Sequence, residues 1–130
     1  MTTDIDGPTA LVADDDAVSR RLLTMVLQRQ RFRVVVAEDG CGALRMLTTE
    51  QPALVFLDAH MPAPDGYEVC RRIRGQRREP SPHVIMVTAA GQESDRILAL
   101  EAGVDEFITK PFSPSKLLAL LDTLRDELDL

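Results

Sequence analysis

Five short apolar segments alternate along this chain with five longer segments whose apolar residues recur at helical spacing. The apolar segments have the length of β-strands, and two of them are rich in β-branched residues. The predicted strands cover residues 9–13, 33–37, 54–57, 83–87 and 106–109. The predicted helices lie near residues 17–30, 41–50, 67–75, 92–102 and 114–128. Because parallel neighbours need a crossover connection, this alternation predicts a doubly wound α/β domain, with helices on both faces of a five-stranded parallel sheet.

Polar residues follow four of these strands at the point where each strand ends. Asp14 and Asp15 come directly after the first strand, and Asp58 comes after the third. Thr88 follows the fourth strand and Lys110 the fifth. Ligands of such sheets bind beyond the carboxyl ends of the strands, so these side chains should share one rim. Clustered carboxylates repel one another, and the sequence therefore predicts a site for Mg²⁺, or Mn²⁺, together with a phosphoryl group.

Length and composition fit one domain that lies outside the membrane. The chain has 130 residues, 45% of them hydrophobic, which is enough for one core but not for two. We expect a short flexible tail over residues 1–8 and a single domain over residues 9–130. The sequence has no apolar run near the ~18 residues that cross a bilayer, and its first residues lack the basic and apolar regions of a signal peptide.

Net charge and cysteine content narrow the possible partners and the cellular compartment of the protein. The net charge of −6 argues against direct binding of nucleic acid, because phosphate contacts need a basic surface. The arginine cluster at residues 71–78 is interpreted as a solvated helix end, with a docking patch for an acidic partner as the alternative. Cys41 and Cys70 have no metal-ligand spacing and are predicted to be reduced thiols, which is typical of a cytoplasmic protein.

Four short motifs occur in the order that the predicted strands require. They are residues 11–16 (LVADDD), 56–66 (FLDAHMPAPDG), 85–89 (IMVTA) and 102–112 (AGVDEFITKPF). Together they make the chain resemble the receiver domains of two-component response regulators, including the chemotaxis regulators, from about Ala10 to about Leu128. The resemblance implies a flavodoxin-like three-layer sandwich with strand order 2-1-3-4-5.

The same resemblance implies a role for each acid. Asp58 would be the phosphoacceptor, whose carboxylate attacks the phosphohistidine of a sensor histidine kinase or of a histidine phosphotransfer protein. Asp15 and Asp58 would bind Mg²⁺, Asp14 would help through water, and the backbone carbonyl of His60 would be a further ligand. The His60 side chain can face the phosphoryl group, so we expect it to affect the lifetime of the acyl phosphate.

Three further residues are expected to respond to phosphorylation. Lys110 would pair first with Asp58 and then with a phosphoryl oxygen, and Thr88 would bond another oxygen. Phe107 stands where the family commonly has a switching aromatic ring, and without a hydroxyl it would switch by packing alone. The resemblance implies an output surface on the fourth helix, fifth strand and fifth helix, over residues 92–102, 106–109 and 114–128. Partner binding or phosphorylation-dependent dimerisation of an otherwise monomeric domain would use it.

Two other classes compete with this interpretation. A phosphorylation-independent interaction module can have the same fold. A haloacid-dehalogenase-like phosphohydrolase would use Asp14 as nucleophile and Asp16 as acid/base, but the chain is short, lacks a late acidic pair and would leave Asp58 unexplained. Asp16 is better interpreted as a helix N-cap. We therefore expect a signalling domain that catalyses only its own phosphorylation and dephosphorylation, with or without an output domain beyond Leu130.

Overall fold

The computed structural model describes residues 7–76, 79–89 and 93–130, without the side chain of Glu93. Within these ranges the strands are β1 (Thr9–Ala13), β2 (Arg33–Ala37), β3 (Leu54–Asp58), β4 (His83–Thr88) and β5 (Glu106–Thr109). The helices are α1 (Ala17–Arg29), α2 (Gly40–Glu50), α3 (Gly66–Gly75), α4 (Glu93–Ala102) and α5 (Pro114–Leu128). Each predicted element is confirmed to within one residue at either end.

The strands form one parallel sheet in the order β2-β1-β3-β4-β5, which confirms the doubly wound topology. One face of the sheet packs against α1 and α5, and the other packs against α2, α3 and α4. The three inner strands are covered on both sides, so β3 is buried along its whole length and its sequence is a continuous apolar run up to Asp58. The result is the three-layer sandwich that the sequence predicts.

Polar side chains cap the helices where the chain leaves the rim. Asp16 caps α1: its carboxylate accepts bonds from the Val18 N–H at 3.2 Å and the Ser19 hydroxyl at 2.9 Å. These bonds lower the pKa of Asp16, with the Ser19 hydroxyl as the largest cause. At the other end of the sheet, Gly103 follows α4 with φ of 96°, a left-handed conformation that favours glycine after a helix. The prediction of an N-cap at Asp16 is confirmed.

Parts of three sequence predictions lie outside the described residues. These are positions 1–6 of the expected tail, positions 77 and 78 of the arginine cluster, and position 92 of the fourth helix and output surface. Nearer the start of that cluster, Arg71 and Arg72 both bond the Glu68 carboxylate within α3. Among the described residues, no helix combines the length and the apolar character needed to cross a membrane.

Gly66, the first residue of α3, lets that helix lie directly against the end of β3. A Cβ atom added at Gly66 would overlap the backbone oxygen of Asp58 and come within 2.9 Å of the Ala59 Cα atom. The Gly66 N–H in turn donates to the Ala59 carbonyl at 3.0 Å. The backbone that presents Asp58 therefore tolerates no side chain at this position.

We predict that Gly66→Ala destabilises the domain by about 1–3 kcal/mol, because the backbone of β3 must shift to admit the methyl group. Gly75→Ala is the matched control, since a Cβ atom there meets nothing within 4 Å and alanine is the better helix former. Urea unfolding of both variants measures the difference. Equal free energies of unfolding for the two variants would contradict the close packing described here.

Candidate functional site

The carboxyl ends of the parallel strands bring the predicted site residues to one rim. Asp14 and Asp15 follow β1, Asp58 ends β3, Thr88 ends β4, and Lys110 follows β5. Backbone bonds extend the sheet by one step beyond the strands: the Asp14 N–H donates to a carbonyl at the end of β2 at 3.1 Å, and the Lys110 N–H donates to the Thr88 carbonyl at 2.7 Å. The site residues are thus fixed by the ladder of the sheet itself.

Three carboxylates cluster at this rim. One oxygen from each of Asp14, Asp15 and Asp58 lies within 4.8 Å of the others. Asp14 is 1% exposed and Asp58 is 7% exposed, while Asp15 faces solvent. Two buried acids beside an exposed one thus present clustered carboxylate oxygens, which are the ligands that hard divalent cations prefer.

Lys110 supplies positive charge from the end of β5. Its Nζ atom lies 3.0 Å from Asp14 Oδ2 and 3.7 Å from Asp58 Oδ2. The nearer partner is therefore Asp14 rather than Asp58. The lysine nevertheless lies within reach of both carboxylates.

Burial and mutual repulsion disturb the titration of these groups. Burial raises the pKa of Asp58 to about 6, and the charge of Asp14 adds to the effect, while the His60 N–H and the Lys110 ammonium oppose it. Burial by itself would lower the pKa of Lys110, but its hydrogen bond to Asp14 and the nearby carboxylate charges outweigh burial and raise it. Lys110 is thus a firmly charged cation, whereas Asp58 is a carboxyl group whose ionised form is costly.

The acid cluster fits a divalent cation. Asp14 Oδ2 is buried and, among the residues that the structure describes, has no hydrogen-bond donor with suitable geometry, although the Lys110 ammonium lies 3.0 Å away. A buried carboxylate oxygen without a hydrogen bond is costly, and a cation bound directly or through water would relieve that cost. The cluster can therefore hold a metal ion at the rim.

The backbone of His60 bonds the acid cluster, whereas its imidazole ring lies against residues of α3 and α4. The His60 N–H donates to Asp58 Oδ1 at 3.2 Å. The imidazole, 59% exposed, lies with its Nε2 atom 3.8 Å from Asp95 Oδ1 on α4. It also packs edge-on against the Tyr67 ring, with 5.9 Å between the ring centroids. The sequence analysis missed Asp95 and Tyr67, because no spacing pattern links positions so far apart in the chain.

Thr88 and Phe107 lie on neighbouring strands near the rim. Thr88 is fully buried at the end of β4 and is paired in register with Thr109 of β5. Phe107 is partly buried and packs against the core cluster beneath α2, α3 and α4. The β4–β5 ladder thus joins Thr88, at the carboxyl end of β4, to the strand that carries the Phe107 ring.

Comparison with known proteins decides the family. The family model described as "Response regulator receiver domain" matches residues 10–122. The chain belongs to this family. It is 42% identical to transcriptional regulatory protein ResD of Bacillus subtilis over 114 residues, which are 88% of this chain and 46% of that protein. The chain thus spans about half the length of the curated relatives that it matches.

Solved receiver domains have the same fold. A BeF3-activated DrrB receiver domain superposes with a TM-score of 0.83 at 32% identity, covering 92% of this chain and 98% of that one. A CheY-like receiver domain from Methanospirillum hungatei superposes with a TM-score of 0.85 at 26% identity, covering 95% and 98%. The resemblance noted from the sequence motifs is confirmed: this is a receiver domain of the two-component response regulators.

We predict that Asp58→Asn stabilises the metal-free receiver domain at pH 7.5. A pKa that is raised from about 4 when unfolded to about 6 when folded makes stability fall as pH rises between those values, because the folded state binds more protons there. Above pH 6 the full cost of about 1–3 kcal/mol is present, and asparagine removes it while keeping the acceptor for the His60 N–H.

Thermal and urea unfolding of the wild type and Asp58→Asn with a chelator present, at pH 7.5 and pH 4.5, measures this effect. The gain should be large at pH 7.5 and small at pH 4.5. Asp122→Asn, at an exposed position of α5, controls for the loss of one negative charge. A gain that is absent at pH 7.5, or equal at both pH values, would contradict the raised pKa.

Proposed function

We propose that this receiver domain is a phosphoacceptor and that Asp58 is its phosphorylation site. A carboxylate oxygen of Asp58 attacks the phosphorus of a phosphohistidine on a sensor histidine kinase or a histidine phosphotransfer protein. The P–O bond forms as the P–N bond breaks, and the partner's imidazole leaves with the nitrogen electron pair. The observation that carries the proposal is the placement of Asp58, a buried carboxylate with a raised pKa that lies beside Asp14 and 3.7 Å from the Lys110 ammonium.

Mg²⁺ is the cofactor that this donor set suits, and Mn²⁺ has the same preference for oxygen. Asp15 and Asp58 would bind it directly, Asp14 would assist through water, and the backbone carbonyl of His60 would complete the protein ligands. When bound, the cation supplies positive charge that offsets the charge on the transferring phosphoryl oxygens.

The other side chains of the rim stabilise charge and hold the acceptor in line. Lys110 is a charged donor within reach of Asp58, so its ammonium can move from the carboxylates to a phosphoryl oxygen at little cost. The His60 N–H, which already donates to Asp58, can donate to a second oxygen. Thr88 supplies a hydroxyl for a third. Phosphoryl transfer gains most from such positioning and electrostatic stabilisation.

Phosphorylation then switches an output surface made by α4, β5 and α5. Apolar side chains on α4 are unusually exposed for their type, at 47% for Ile97, 43% for Leu98 and 63% for Leu100. Exposed apolar groups of this size are typical of a contact surface. Movement of Thr88 toward the phosphoryl group would let the Phe107 ring follow, and a two-position ring is the bistable element that a switch needs.

We propose a domain layout and setting that match this function. Residues 9–130 form the receiver domain of a cytoplasmic protein. The receiver domain is a monomer, or a dimer once phosphorylated, and makes no direct contact with nucleic acid or membrane. Relatives such as ResD are transcriptional regulators of twice this length, so the output is an attached domain or a separate protein partner.

The competing classes lack support from the site. A dehalogenase-like phosphohydrolase needs Asp16 as an acid/base, but its carboxylate is occupied in capping α1 and its pKa is lowered. A phosphorylation-independent module would have no need for the buried pair of Asp14 and Asp58 beside Lys110. We therefore propose that the domain catalyses its own phosphorylation and dephosphorylation and no other reaction.

We predict that incubation with acetyl phosphate and Mg²⁺ adds one phosphoryl group to the protein, as measured by intact mass. Asp58→Asn should abolish the adduct, because asparagine lacks the nucleophilic carboxylate. Lys110→Ala should reduce the rate by roughly 10²-fold, since it removes one positioned cation from the transition state. Chelation of Mg²⁺ should reduce the rate strongly in the wild type.

Asp16→Asn is the matched control, because asparagine still caps α1 and should leave phosphorylation unchanged. An adduct that persists in Asp58→Asn but disappears in Asp14→Asn or Asp16→Asn would overturn the proposal in favour of the phosphohydrolase.

A further inference from the structure

An acid in the first turn of α4 is almost buried against the neighbouring helix. The side chain of Asp95 is only 13% exposed. Its Oδ1 atom accepts a hydrogen bond from the Tyr67 hydroxyl of α3 at 3.4 Å and lies 3.8 Å from His60 Nε2. A carboxylate removed from water to this degree needs such partners, because leaving it without them is costly. Asp95 is therefore held by contacts to residues outside its own helix.

The partners of Asp95 stand at the two ends of the loop that follows the proposed phosphorylation site. His60 follows Asp58 by two residues, and Tyr67 lies in the first turn of α3, where that loop ends. The two rings pack edge-on against each other with an interplanar angle of 75°. Through the Asp95 carboxylate, the first turn of α4 thus contacts both ends of the loop between β3 and α3.

His60 connects this contact directly to the phosphoacceptor. Its backbone N–H bonds Asp58 Oδ1, and its ring reaches Asp95. Burial and then the charge of Asp95 raise the pKa of the Tyr67 hydroxyl to about 12, so the hydroxyl keeps its proton and remains a donor to Asp95. The chain of contacts runs without a break from Asp58 to α4.

We propose that Asp95 is a positioning residue that holds the start of α4 against the phosphorylation loop in the resting domain. The proposal rests on the function proposed above, in which phosphorylation remodels the surface formed by α4, β5 and α5. If α4 is displaced in that change, the contacts of Asp95 with Tyr67 and His60 must break. They therefore stabilise the resting form and oppose the switch.

Thermodynamic linkage determines whether loss of the Asp95 contacts raises or lowers the affinity for a phosphoryl mimic. A phosphoryl mimic that favours the switched form must first overcome whatever stabilises the resting form, and its apparent affinity falls by the same factor. Removing the contacts of Asp95 should raise the affinity for beryllofluoride. Since the Tyr67 bond is long and the His60 ring is half exposed, the gain should be roughly two- to tenfold.

The test measures beryllofluoride affinity by isothermal titration in excess Mg²⁺ for the wild type, Asp95→Asn, His60→Ala, and the double variant. Asp95→Asn keeps an acceptor for the Tyr67 hydroxyl but loses the charge that faces the imidazole. Each single variant should bind more tightly than the wild type, and the double variant should gain no more than the better single one, because both remove the same contact. Asp122→Asn, on the exposed side of α5, is the charge-matched control and should bind as the wild type does.

A second measurement needs no ligand. Hydrogen exchange of the unliganded proteins should be faster at the amides of residues 93–99 in Asp95→Asn and Tyr67→Phe than in the wild type, with no change in α5. Unchanged exchange in α4, affinities equal to or weaker than that of the wild type, or gains that simply add in the double variant would each overturn the role of Asp95. A wild type that fails to bind beryllofluoride, or that binds it no better than Asp58→Asn does, would instead overturn the proposed function. The exchange measurement would then still test whether Asp95 holds the start of α4.

Discussion

Two buried carboxylates, those of Asp14 and Asp58, share the ammonium of Lys110 at the carboxyl end of the sheet. Burial makes their negative charges costly, and the strand ends hold the two acids so close together that these charges repel each other. The roles of the other rim residues follow from this excess of negative over positive charge. A cation bound from the Asp15 side would relieve it, and in the proposed function a phosphoryl group would offer Lys110 new oxygens. The sheet supplies the rigidity that keeps repelling groups in place, because the residues next to them are bonded into its ladder.

The elements of the fold and the rim residues could be predicted from the sequence because each depends on a local pattern. Continuous apolar runs mark the buried strands, helical spacing marks the amphipathic helices, and the alternation of the two requires a parallel sheet. Once the sheet is parallel, Asp14, Asp58 and Lys110 must share an edge, whichever order the strands adopt. The cap at Asp16 was predictable for the same reason, since capping is a contact within three residues.

Features that depend on packing between distant segments were not predictable in this way. The strand order came from family resemblance, since alternation alone allows several orders. The closer approach of Lys110 to Asp14 than to Asp58 depends on side-chain placement across the sheet, which local sequence does not encode. The contact of Asp95 with Tyr67 and His60 joins three elements across 36 positions of the chain and carries no motif.

Burial makes the ionised form of Asp58 costly, and we infer that a bound cation stabilises that charge. Carbon-13 NMR of the Asp58 carboxyl group, followed from pH 4 to pH 8 with and without Mg²⁺, measures both effects. We predict a midpoint near pH 6 in the metal-free protein, and a clearly lower midpoint at saturating Mg²⁺, because a bound cation favours the ionised form. A metal-free midpoint near the ordinary value of about 4, unmoved by Mg²⁺, would contradict this prediction.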